Sequence, residues 1–229
     1  MSKVFKTATV SALESTPDEL EKVNVFALEK QNADDLYLFK VAVCSNAQNT
    51  DRDNEPLMLS ALEDLAQRLR GKTVIFDHTP TAKNQVARIY DTSLEKNGEL
   101  TEAGEELTRL VVHCYMVKTA SNADLIAEIR AGIKKEVSVG FATSKITCSV
   151  CGSDAGRCAH RPGQTYSGKV CRRQIRNCTD AYEVSFVAVP CQTDAGTVKS
   201  FDSGDADAEK ELEARIKIKE IIFKEEKAI

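Results

Sequence analysis

The stretches Glu136-Val137-Ser138-Val139-Gly140-Phe141 and Tyr182-Glu183-Val184-Ser185-Phe186-Val187-Ala188-Val189 both alternate polar and apolar side chains. Successive side chains of a strand point to opposite faces of a sheet, so a period of two predicts a half-buried strand in each stretch. Each stretch also ends beside a loop or a chain breaker. The fold is therefore expected to be built on strands that bury one face.

Further strands and a few helices are predicted around these two stretches. Apolar and β-branched runs predict strands at residues 23–28, 36–43, 73–76, 85–90 and 107–117. Met58, Leu62, Leu65 and Leu69 recur at helical spacing, and a stretch resembling a capping box at residues 121–124 opens a second helix. Without βαβ alternation or a glycine-rich phosphate loop, this order predicts an α+β fold with a mainly antiparallel, barrel-like sheet. It disfavours Rossmann and P-loop folds.

Composition and charge narrow the class of protein. The chain has 229 residues, 42% hydrophobic and 29% charged, which is typical of one globular domain with an added module or tail. It contains no apolar run of about 18 residues and no secretory signal at its start, so a cytoplasmic protein without a membrane span is expected. With 31 basic and 35 acidic residues the net charge is −4, and a nucleic acid is not expected as a partner.

The predicted domain organisation has three parts. Residues 1–195 are expected to form the main domain, with a cysteine-rich insertion at residues 148–178. From Gln192 the sequence is polar and aperiodic, and residues 196–207 are predicted to be a linker. Residues 208–229 place apolar side chains among alternating Glu and Lys, which predicts a charged helical arm.

Six of the eight cysteines lie between residues 148 and 191, and three of them form the pattern C-x2-C-x6-C-x-H with His160. The two-residue spacing lets both thiolates of a tight turn point at one ion, and a third cysteine and the histidine complete a tetrahedral set. The pattern predicts a structural zinc ion held by Cys148, Cys151, Cys158 and His160, with no open position for a catalytic water. Two alternatives remain: Cys171 replaces one ligand, or the cysteines stay reduced without a metal.

Two histidines remain outside this pattern, and they differ in setting. His113 lies within an apolar strand, which is typical of a packed residue. His78 lies where a strand meets an exposed loop, a place where catalytic groups concentrate. Ser138 lies between two valines, and the following Gly140 is expected to let a substrate backbone approach. Taken singly, Ser138 and Glu183 are typical of ordinary strand residues.

Four passages in this order resemble the prohead, or capsid maturation, serine proteases of tailed phages, which are related to the herpesvirus assemblin proteases. The passages are Asp51-Arg52-Asp53, Asp77-His78, Lys134-Lys135-Glu136-Val137-Ser138-Val139-Gly140-Phe141 and Tyr182-Glu183-Val184-Ser185-Phe186-Val187-Ala188-Val189-Pro190, within about residues 36–195. The resemblance implies an endopeptidase with Ser138 as nucleophile, His78 as general base and Glu183 as the acceptor that orients the imidazole. It implies no cofactor for catalysis. The herpesvirus relatives use a second histidine as third member, so His160 is the alternative to Glu183.

The resemblance also implies a biological setting. The protein would cleave scaffold protein, the major capsid protein and itself inside the assembling procapsid, in the host cytoplasm. Scaffold protein and capsid protein are then its expected partners, with self-association as a further expectation and neither nucleic acid nor membrane. The alternative is a catalytically inactive, zinc-stabilised head-assembly or scaffold-associated protein. A zinc-knuckle nucleic-acid binder is disfavoured by the acidic charge and by the ligand spacing.

Overall fold

The computed structural model describes residues 12–13, 16–49, 51–193 and 195–197. The predicted arm at residues 208–229 and most of the predicted linker lie outside the described residues. No helix in the described ranges is both long and apolar enough to cross a bilayer.

Strands make up most of the secondary structure in the described part of the chain. The strands are β1 (Ala12–Leu13), β2 (Leu36–Ser45), β3 (Thr73–Phe76), β4 (Ala87–Leu100), β5 (Glu106–Val117), β6 (Val137–Ala142), β7 (Lys145–Cys148), β8 (Thr165–Tyr166), β9 (Lys169–Val170), β10 (Arg173–Asn177), β11 (Asp180–Phe186) and β12 (Gly196–Thr197). The α-helices are α1 (Pro17–Asn24), α2 (Leu59–Arg68) and α3 (Ala123–Arg130).

The main sheet has eight strands, in the order β1-β2-β5-β4-β3-β11-β6, with β12 also paired to β2. The pairing of β3 with β11 is parallel, and the other pairings of this sheet are antiparallel. The predicted α+β class with mainly antiparallel strands is therefore confirmed. The strand path is open, because no described ladder joins β6 to β2, and the described strands do not form a closed barrel.

Helix α2 covers one face of the sheet and completes the main core. Leu62, Leu65 and Leu69, which recur at helical spacing, are fully buried among side chains of the sheet. Burying one such side chain contributes about 1.5–3 kcal/mol of transfer free energy. The predicted helix at this position is confirmed.

The strand predicted at residues 23–28 is wrong, because the chain is helical up to Asn24. Thr16 Oγ1 accepts a hydrogen bond from the Glu19 N–H at 3.3 Å, and Pro17 occupies the first turn of α1, where an N–H is not needed. Val23 is the fully buried residue of this helix. Capping at the start of the helix therefore outweighs the β-branched content at its end.

The cysteine-rich segment is built around the antiparallel ribbon of β7 and β10 and the short hairpin of β8 and β9. On its other side β10 binds the loop before α2: the Arg173 N–H donates to Asn54 O at 2.8 Å, and the Met58 N–H donates to Ile175 O at 2.9 Å. Strand β10 is thus shared between the cysteine-rich segment and residues 54–58 of the main domain.

The polar stretch that begins at Gln192 is part of the fold as far as it is described. The Gln192 side chain is buried, accepts the Ser45 N–H at 2.8 Å and donates to Ser45 O at 3.2 Å. Gly196 and Thr197 then pair with β2. The predicted start of the linker is therefore too early, because polar side chains here hydrogen-bond the sheet instead of solvent.

Candidate functional site

The parallel pairing of β3 with β11 brings His78 and Glu183 together although 105 positions separate them. His78 Nδ1 lies 2.7 Å from Glu183 Oε1. The Glu183 side chain is 9% exposed, whereas the His78 side chain is 45% exposed. A neutral imidazole that donates its Nδ1–H to the carboxylate leaves Nε2 as a hydrogen-bond acceptor. A buried carboxylate thus orients a ring that is itself about half exposed.

An unusual turn directs His78 toward β11. Asp77 and His78 have φ values of 50° and 51°, in the left-handed region that costs about 1–2 kcal/mol for each non-glycine residue. The Asp77 N–H donates to Phe186 O at 3.0 Å, and the His78 N–H donates to Ser185 Oγ at 3.0 Å. These bonds offset the strain and fix the turn against the end of β11.

The Asn84 side chain closes the same turn from the other side. Its amide donates to Phe76 O at 2.7 Å and to Thr79 O at 2.8 Å. Asn84 was not predicted as part of the site. Its place in the polar loop after β3 could have indicated this role, because Asn side chains in turns commonly hydrogen-bond backbone groups.

Ser138 lies on the sheet face that carries Glu183. Strand β6 pairs with β11 so that Ser138 is directly opposite Ser185 and Gly140 is directly opposite Glu183. Directly opposed residues point to the same face, with Cβ atoms about 4.5–5.5 Å apart. Strand β11 therefore lies between β6, which carries Ser138, and β3, which ends just before His78. Within the described residues, no hydrogen bond joins Ser138 to His78.

Gly140 makes room for the Glu183 carboxylate. A Cβ atom at position 140 would overlap Glu183 Oε1 and approach Glu183 Cδ to 3.3 Å. The expectation that Gly140 admits a substrate backbone is therefore wrong, since the carboxylate already fills this space. The absent side chain allows Glu183 to lie flat across β6 and reach His78.

Ser138 also lines a cavity of about 160 Å³ at the open end of the sheet. The cavity lies where β6 approaches β2, with Cα atoms of the two strands within 8 Å of each other and without strand pairing. Val43, Val137 and Ile175 contribute apolar surface, and the Asp51-Arg52-Asp53 stretch contributes its two carboxylates. A concave, largely apolar site beside a candidate nucleophile is the usual form of a substrate site.

Cys191 also lines this cavity, and it lies close to charged side chains. Its Sγ lies 3.1 Å from Asp53 Oδ2 and 3.6 Å from Asp51 Oδ2. Burial and the bond to Asp53 raise the pKa of the Cys191 thiol to about 12. A thiol that stays protonated is a poor nucleophile. Among the described residues that line the cavity, Ser138 carries the only hydroxyl group.

The predicted metal ligands are brought together. The ligand atoms of Cys148, Cys151, Cys158 and His160 all lie within 4.8 Å of one another, and Cys148 Sγ lies 3.7 Å from His160 Nδ1. Burial opposes ionisation of Cys148, but hydrogen bonds from the backbone N–H groups of Cys151 and Val150 lower its pKa to about 7. Three sulfur donors and one imidazole suit a tetrahedral metal ion, so this cluster could hold one.

Cys171, Cys178 and His160 differ in their relation to the cluster. Cys171 is buried with its Sγ 3.8 Å from Cys148 Sγ, so it stays open as a replacement ligand. Cys178 lies in the main core, where burial raises its pKa to about 12, and it takes no part in the cluster. His160 lies with the cysteines and packs edge-on against Tyr166 at 4.5 Å between ring centroids.

His113 is a packed residue of β5, as predicted. It is buried, and its Nε2 lies 3.3 Å from Ser93 Oγ. Burial, followed by the nearby Lys40 charge, lowers its pKa. His78 is therefore the histidine that combines an exposed ring with a carboxylate partner.

Comparisons of the chain with protein-family models, with curated proteins and with solved structures found no match.

Proposed function

We propose that this protein is a serine endopeptidase, with Ser138 as nucleophile, His78 as general base and Glu183 as the acceptor that orients the imidazole. The observation that carries the proposal is the 2.7 Å contact between His78 Nδ1 and Glu183 Oε1 on the sheet face shared with Ser138. A serine hydroxyl becomes a nucleophile when a base takes its proton and a third group fixes the base. Ser138 also lines the cavity of about 160 Å³, and we expect one side chain of the peptide to bind there.

The reaction is acyl transfer. Ser138 Oγ attacks the peptide carbonyl carbon while His78 Nε2 takes the hydroxyl proton, and a tetrahedral oxyanion forms. Its collapse breaks the C–N bond, and the imidazolium gives the proton to the leaving amine. Water then adds to the acyl ester with His78 again as base, and the product acid leaves with Ser138 restored. Glu183 stabilises the imidazolium in both halves.

In the free protein the exposed His78 ring is not hydrogen-bonded to Ser138. Catalytic hydrogen bonds are often long in substrate-free structures and shorten when substrate excludes water. The Glu183 contact already fixes the Nδ1 edge of the ring. We expect peptide binding in the cavity to complete the arrangement.

The resemblance to prohead proteases supports a more specific role. In this role the protein cleaves scaffold protein, the major capsid protein and itself inside the assembling procapsid in the host cytoplasm. Asp51 and Asp53 of the first resembling passage line the cavity. The passage Asp77-His78 contains the proposed general base, which contacts Glu183. The position of Asp51 and Asp53 beside Ser138 supports a part for the first passage in the proposed site.

A serine-directed probe tests the catalytic proposal. The full-length protein is incubated with a fluorophosphonate, and the modified residue is mapped by mass spectrometry. We expect modification at Ser138 and at no other serine, because only an activated hydroxyl reacts quickly. A folded protein that is not labelled and cleaves neither scaffold nor capsid protein would instead have the structural role of a zinc-stabilised assembly protein.

We further propose that the cysteine cluster binds zinc in a structural role. Elemental analysis of protein prepared under reducing conditions with zinc supplied is expected to give about one zinc per chain. Cys158→Ser is expected to lose the metal, whereas Cys178→Ala, a cysteine outside the cluster, should keep it. Zinc-free wild-type protein from the same preparation would refute the site.

Removal of the zinc is expected to affect catalysis through β10. The segment from Cys151 to His160 has few apolar side chains to bury, so chelation should speed amide exchange at residues 148–165. Ile175 of β10 lines the cavity, and we therefore expect the KM for peptide to rise more than kcat falls. Immediate loss of all activity with unchanged amide exchange would indicate a catalytic metal.

A further inference from the structure

The hydroxyl group of Ser185 is hydrogen-bonded to both His78 and Glu183. Its Oγ donates to Glu183 Oε2 at 2.6 Å and accepts the His78 N–H at 3.0 Å. The residue is 0% exposed and lies in β11, directly opposite Ser138. Ser185 was not predicted as a site residue, although alternation along the strand places it on the same face as Glu183.

The hydroxyl fixes the plane of the carboxylate. Glu183 Oε1 bonds the His78 ring and Oε2 bonds Ser185, so each oxygen has a different fixed partner. A glutamate held at one oxygen only can rotate about its terminal bonds. With both oxygens held, Oε1 stays directed at Nδ1.

The same hydroxyl also fixes the backbone of the base. His78 has a φ of 51°, and its N–H is bonded to Ser185 Oγ. Loss of this acceptor would leave the strained turn with fewer bonds to offset its cost. Ring position and carboxylate position thus depend on one group.

Ser185 does not itself serve as the nucleophile. Its hydroxyl proton is donated to Glu183, and the side chain has no exposed surface through which a peptide carbonyl could approach. Ser138, by contrast, lines the cavity.

We propose that Ser185 is a positioning residue of the active site, which holds the Glu183 carboxylate and the His78 backbone in the positions that proton transfer requires. This inference rests on the proposed function, since it assigns a role within the same serine protease site. It predicts that Ser185 affects the rate of the chemical step and not the binding of the peptide.

The test is Ser185→Ala in the full chain, measured with a peptide substrate and with the fluorophosphonate. We expect kcat and the labelling rate of Ser138 to fall on the order of 10- to 100-fold, because small misplacement of a base costs this much. KM should stay within about twofold of wild type, since a positioning effect leaves substrate binding intact. The final extent of labelling should still reach one per chain. A merely structural defect would instead lower the final extent of Ser138 labelling. The molecules that stay folded would be labelled at the wild-type rate.

The control is Thr108→Val, which removes another fully buried hydroxyl, on β5, that bonds Glu106 O at 2.9 Å. It should leave kcat and the labelling rate unchanged. If Ser185→Ala does not fold, Ser185→Cys replaces it, because a thiol is nearly the same shape and a much weaker donor. Wild-type kcat in a folded Ser185 variant would overturn the inference. Absence of labelling and cleavage in wild type would overturn the proposed function instead.

Discussion

Ser138→Ala is expected to abolish cleavage of co-expressed scaffold and capsid protein while leaving the fold intact. Alanine has no oxygen to attack the carbonyl, and loss of the nucleophile in other serine proteases lowers kcat by roughly six orders of magnitude. The half-buried Ser138 hydroxyl has no hydrogen bond within the described residues, so the free energy of unfolding should change by about 0.5 kcal/mol or less. The measurements are gel analysis of the two substrates and thermal unfolding.

The matched control for this prediction is Ser121→Ala, an exposed serine before α3 whose hydroxyl contacts Thr119 at 2.9 Å. It should cleave both substrates at the wild-type rate. Undiminished proteolysis by Ser138→Ala would remove Ser138 from the mechanism, whatever the control shows.

Local patterns predicted the elements that form the site, but not how they meet. Alternation located β6 and β11, and helical spacing located α2, because each buries one face or stripe. The parallel pairing of β3 with β11 joins segments more than 100 positions apart, and no local pattern encodes it. The proximity of His78 and Glu183 could be expected only from the family resemblance.

Residues whose role depends on a partner from a distant part of the chain were misread. Gly140 was interpreted from its own strand alone, whereas the group that fills its space comes from β11. Gln192 looked like linker sequence because its polar side chain gives no sign of a buried backbone partner. The cysteine cluster was predicted correctly as a group, since its ligands lie within thirteen positions and spacing alone brings them together.

His78→Ala and Glu183→Gln are both expected to slow cleavage, the histidine change more deeply. Loss of the imidazole removes proton transfer, and kcat should fall nearly as far as in Ser138→Ala. Glutamine keeps an oxygen that can accept a hydrogen bond from Nδ1–H, but it lacks the charge that stabilises the imidazolium. A fall of roughly 10³- to 10⁴-fold is expected, as for replacement of the triad acid elsewhere.

The double variant separates a coupled pair from two independent effects. Because Glu183 acts on catalysis through the ring it contacts, removing it should cost little once the ring is gone, and kcat of the double variant should match His78→Ala within a few-fold. Multiplication of the two single effects would mean that Glu183 contributes by another route. His160→Ala is the third arm: its ring lies among the cysteines, so it should release metal and leave a measurable kcat. Inactivation by His160→Ala with metal retained, together with full activity of Glu183→Gln, would make His160 the third member.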